Sequence, residues 1–92
     1  MAKLTDEQIT MRLSGLNGWQ VVDGQLTKTF DFNTYLAGLE FGTDIGYAAE
    51  KMDHHPDLLI TWRKVKVSVS THSEGGITEK DFALAEACEK RA

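Results

Sequence analysis

The one proline of the chain, Pro56, stands directly after two adjacent histidines in the run Asp53-His54-His55-Pro56. A proline disfavours the α region for the residue before it, so a helix entering this run must end near His55. The patterns on either side agree. Before the run, Phe41, Ile45, Ala48 and Met52 recur at helical spacing. After it, Val65, Val67 and Val69 alternate with Lys66, Ser68 and Ser70 at the period of a strand. The histidine pair therefore sits at a helix-to-strand corner, where side chains can converge on a ligand.

The rest of the chain is organised around that corner. Thr5-Asp6-Glu7-Gln8 is a capping box, and Ile9, Leu13 and Leu16 follow at helical spacing, which predicts a first helix from about Thr5 to Ser14. Gly15 and Gly18 punctuate its end. Trp19 to Val22 and Leu26 to Phe30 read as strands around Asp23-Gly24, a pair suited to a type I′ turn. Trp19 is expected to anchor the first strand on the core rather than to edge a pocket. Asn33 is expected to cap a second helix running to about Met52. Gly38, Gly42 and Gly46 recur there every fourth residue. Each costs a helix ~1 kcal/mol relative to alanine, so the ridge calls for a close neighbour, either the sheet or a second subunit. Leu58 to Trp62 and Val65 to Thr71 form a second hairpin around Arg63-Lys64, with His72 on the outward parity. Ser73 to Gly76 is a loop. Thr78 and Asp81 then stand as N-cap and N3 of a third helix, with Ile77 and Phe82 as its hydrophobic staple. The order α-β-β-α-β-β-α predicts an α+β fold: a four-stranded antiparallel sheet with three helices on one face.

At 92 residues the chain has room for one domain, residues 1–92. A net charge of −4 argues against direct nucleic-acid binding, which calls for clustered Lys and Arg. No apolar run approaches the ~20 residues of a membrane span, and no signal peptide is read at the start. The single cysteine, Cys88, cannot form an internal disulfide. A cytoplasmic location is expected from these features.

All three histidines, His54, His55 and His72, fall between Glu50 and Asp81. Three residues separate Glu50 from His54, five separate Pro56 from Trp62, nine separate Trp62 from His72, and eight separate His72 from Asp81. This series resembles the signature of the pterin-4a-carbinolamine dehydratases. Those enzymes remove water from 4a-hydroxytetrahydropterins after aromatic amino-acid hydroxylation. The words Ala49-Glu50-Lys51-Met52-Asp53, Ser70-Thr71-His72, Gly76 to Asp81 and Gly18-Trp19 fit as well. Seven fixed positions are far more specific than one short motif.

The resemblance implies His54, His55 and His72 as catalytic residues, and Glu50, His55, Trp62 and Asp81 as substrate-binding residues. His54 and His72 are expected to move protons, and His55 to hold the pterin ring. Glu50, four residues before His54, can orient its imidazole. Trp62 is placed either beside the pocket mouth or in the core. Asp81 is explained by the capping box alone, its service to the pocket being placement of the helix. No cofactor is implied, since the pterin is the substrate, and no metal. A zinc site made by the three histidines is the rival reading, weakened because adjacent side chains diverge. The partners implied are a small pterin, further copies of the chain in a homo-oligomer (dimer or tetramer), and a functional link to an aromatic amino-acid hydroxylase. Some relatives act instead as partner proteins in transcription or assembly; this chain keeps all three histidines.

Overall fold

The structure, a computed structural model, describes residues 2–92. These form helices α1 (Asp6–Leu13), α2 (Tyr35–Met52) and α3 (Glu79–Arg91). Between them lie strands β1 (Gln20–Val22), β2 (Gln25–Asp31), β3 (Asp57–Thr61) and β4 (Lys64–Val69). The sheet is antiparallel throughout, in the order β1-β2-β4-β3. The expected α+β architecture and element order are those observed.

Local chemistry accounts for most boundaries. Thr5 and Gln8 close the capping box of α1, and Thr78 and Asp81 that of α3. Asp23 and Gly24 both take positive φ, 51° and 77°, and join paired Val22 and Gln25 as a two-residue turn. Two details differ from expectation. The N-cap of α2 is Thr34, whose hydroxyl accepts from Ala37 N, and not Asn33. The second hairpin turns at Trp62-Arg63 rather than Arg63-Lys64, because Lys64 already pairs with Thr61. Arg63 there carries φ 64°, and the turn is tied to the end of β2 by Phe32 N donating to Arg63 O at 2.8 Å.

Alternation along the strands builds the core. Leu26, Phe30, Val65, Val67 and Val69 point from the sheet into Phe41, Ile45 and Ala49 of α2 and Phe82, Leu84 and Ala85 of α3. Trp19 anchors the sheet edge on this core as expected, edge-on to Phe30 at 5.9 Å, with its Nε1 donating to Glu89 Oε2. The glycine ridge of α2 divides. A Cβ on Gly38 would lie 3.3 Å from Val65, and one on Gly42 would lie 3.1 Å from Ile60, so the sheet is their close neighbour. Gly46 faces open space. Helix α1 docks through Ile9 and Leu13, and its Arg12 lies 4.8 Å over the Phe82 ring while pairing with Glu79.

Candidate active site

Three segments meet at one end of the sheet: the exit of α2, the loop after β4, and the first turn of α3. Helix α2 ends because Asp53 adopts a left-handed conformation, φ 51° and ψ 45°, with its N–H on the Ala49 and Glu50 carbonyls. His54 N closes the same turn on Ala49 O at 3.0 Å. Aspartate tolerates this region better than most residues. The reversal carries His54 off the helix and towards α3.

There the His54 Nε2 meets Asp81 Oδ1 at 2.6 Å. The Asp81 side chain is 0% exposed and that of His54 only 11%. A buried carboxylate needs its acceptors filled. Asp81 Oδ2 accepts from the Thr71 hydroxyl at 2.8 Å and from Thr78 N at 2.8 Å. The Thr71 and Thr78 hydroxyls also touch, at 2.8 Å. Asp81 is thus the N3 cap the sequence predicts, and in addition the partner of a histidine 27 residues away.

Beyond Thr71 the chain makes a short excursion pinned at its base. Thr71 N donates to Gly76 O at 2.8 Å, Gly76 N returns to Thr71 O, and a 3-10 turn over His72–Glu74 ends at Gly75 with φ 72°. His72 rides on this excursion, exposed, on the polar parity predicted for it. It shares a groove with Ser70, Gly76 and the Asp23-Gly24-Gln25 turn. His55 points elsewhere: it pairs with Glu50, both well exposed, in a shallow apolar groove with Thr43, Gly46 and Tyr47.

The expected site residues are therefore not all gathered together. His54, Asp81 and the hydroxyl of Thr71, the residue before His72, form one hydrogen-bonded unit. Glu50 serves His55 and not His54, since the reversal at Asp53 takes His54 away from the helix face Glu50 occupies. Trp62 is 71% exposed at the β3–β4 turn, neither in the core nor near the histidines. The five residues of β3 separate it from His55 by about 17 Å. Thr71 was not singled out from sequence. Extending the inward parity of Val65, Val67 and Val69 by two residues points to it. Among the described residues no cluster of three or more His, Cys, Asp or Glu side chains could hold a metal ion.

Known proteins bear on this arrangement. Residues 2–91 match a family model described as pterin 4 alpha carbinolamine dehydratase. A Mycobacteroides abscessus protein provisionally named a pterin-4-alpha-carbinolamine dehydratase is 50% identical over 86 residues, covering 94% of this chain and 92% of its own. One of the same provisional name from Sulfolobus acidocaldarius is 44% identical over 88 residues, covering 96% and 97%. The crystal structure of a transcriptional coactivator/pterin dehydratase from Brucella melitensis superposes with a TM-score of 0.92 at 36% identity, covering 98% of each chain. A pterin dehydratase-like RuBisCO assembly factor of the alpha-carboxysome, 21% identical with a TM-score of 0.65 over 80% of this chain and 86% of its own, shares the fold.

Proposed function

The chain belongs to the pterin 4 alpha carbinolamine dehydratase family, and from that premise we propose that it removes water from a 4a-hydroxytetrahydropterin to give the quinonoid dihydropterin. The observation that carries the reading is the His54–Asp81 pair, a largely buried imidazole oriented by a fully buried carboxylate at the end of the sheet where His72 emerges.

The substrate carries a hydroxyl on the carbon next to a ring nitrogen. A histidine in its protonated form delivers a proton to that hydroxyl. The C–O bond breaks, water leaves, and the nitrogen lone pair forms the C=N bond. A second histidine then takes the proton from that nitrogen. Imidazoles, with an ordinary pKa of about 6.5, suit both steps near neutrality. His54 and His72 are assigned to proton transfer, and His55 to holding the ring, with Glu50 fixing the His55 imidazole. Neither a cofactor nor a metal enters this scheme.

The enzyme acts as a homo-oligomer in this reading. Leu36 and Tyr47 leave an apolar face of α2 open, 67% and 73% exposed, and a domain of this size buries only about 60–65% of its unfolded surface alone. It serves tetrahydropterin recycling beside an aromatic amino-acid hydroxylase, in the cytoplasm. The net charge of −4 argues against direct contact with nucleic acid. The test is direct: purified protein mixed with synthetic 4a-hydroxytetrahydropterin should accelerate appearance of the quinonoid product over the buffer rate. A rate equal to that of buffer would refute the proposal.

A further inference from the structure

We propose that Thr71 is a positioning residue which, with Thr78, fixes the tautomer of His54, so that His54 exchanges protons through Nδ1. The bonds around Asp81 carry the argument. Thr71 has one hydroxyl proton, and it goes to Asp81 Oδ2. The 2.8 Å contact between the two hydroxyls is therefore donated by Thr78, whose oxygen in turn accepts from Lys80 N at 3.2 Å. Asp81 Oδ2 also takes the Thr78 N–H. Both donors lock the carboxylate in one rotation, with Oδ1 left to face His54 at 2.6 Å.

A carboxylate only accepts hydrogen bonds, so the proton of that contact belongs to Nε2. A neutral imidazole carries a single N–H, which leaves Nδ1 as its free acceptor. Nδ1 makes no hydrogen bond among the described residues, and no buried side-chain nitrogen or oxygen there lacks a partner. Nδ1 therefore reaches the surface, on the atom turned away from Asp81. Thr71 is well placed for this duty, since it precedes His72 and anchors the excursion that carries it. One inward hydroxyl thus ties the orientation of His54 to the root of the His72 loop.

The tautomer step stands on geometry alone; the effect on rate rests on the dehydratase reading. The test is long-range ¹H–¹⁵N correlation NMR of the ¹⁵N-labelled protein, with no substrate present. At a pH where His54 is neutral, its Nε2 should appear protonated and its Nδ1 unprotonated. Thr71→Val keeps the shape and removes the hydroxyl. It should mix the two tautomers and lower kcat about tenfold, the rate equivalent of one hydrogen bond to a carboxylate, with KM little changed. Thr71→Ser should restore both. A wild-type His54 protonated on Nδ1 would overturn the inference, as would a Thr71→Val protein unchanged in tautomer and kcat. The wild-type spectrum decides the tautomer even if Thr71→Val fails to fold. An Nε2–H tautomer in a protein without dehydratase activity would support the positioning and sink the functional reading instead.

Discussion

At the scale of single residues, Asp81 does two jobs with two oxygens, and one substitution can separate them. An asparagine offers one accepting and one donating end, so it can serve the Thr78 N–H or the His54 Nε2–H, not both. Asp81→Asn should keep the fold, with melting lowered by a few degrees, while kcat falls by roughly 10²-fold, the lower end of what positioned proton transfer supplies. Parallel kinetics and thermal melts check this; full activity with lowered melting would make Asp81 a cap alone. Cys88 gives a second check. Burial pushes its thiol from 9.0 up to about 12. Because the folded value lies above the unfolded one, its contribution to stability is complete below pH 9 and is lost as pH rises towards 12. Unfolding free energies measured across that window should decline less steeply in Cys88→Ala than in the wild type. How far the sequence is legible differs by residue. His54 and His72 stand out because a proline and a strand parity frame them. Helical spacing points Glu50 at His54, but the left-handed turn at Asp53 breaks that spacing and Glu50 pairs with His55 instead. The His54–Asp81 bond spans 27 positions and arises only when α3 docks.

At the scale of elements, capping chemistry and strand alternation are readable from local residue order, which is why both capping boxes and the core faces of β2 and β4 match expectation. Neighbouring Asn33 and Thr34 are both good caps, and intrinsic preference favours Asn33, so the start at Thr34 is set by how the helix docks and not by local chemistry. Trp62-Arg63 lacks a turn-forming pair, so the hairpin's centre is set by pairing with β4 and not by its own residues. The glycine ridge of α2, one feature in the sequence, divides into two in the fold. Gly42 lies under Ile60, and Gly42→Leu should overpack that contact, costing about 1–3 kcal/mol. Gly46 has nothing within reach of a Cβ, so Gly46→Ala should stabilise the helix by ~1 kcal/mol, a rise of about 4–8 °C in Tm. Calorimetry on the pair checks both signs. A fall for Gly46→Ala would mean that another chain packs closely there.

At the scale of the whole molecule, one small sheet brings the α2 exit, the β4 loop and the α3 cap to a common end and leaves Trp62 at the other. The exposed apolar face of α2 predicts association: light scattering at micromolar concentration should give a dimer or tetramer, and Tyr47→Glu should lower that mass. A stable monomer would remove the oligomer from the account. The central claim is that His54 and His72 carry the dehydration. It is tested most directly by kcat on 4a-hydroxytetrahydropterin, with EDTA present, for the wild type and for the His54→Ala/His72→Ala double variant. The account predicts that the wild type keeps its activity and that the double variant falls nearly to the uncatalysed rate, each single change costing roughly 10²–10⁴-fold. Full activity in the double variant would contradict it.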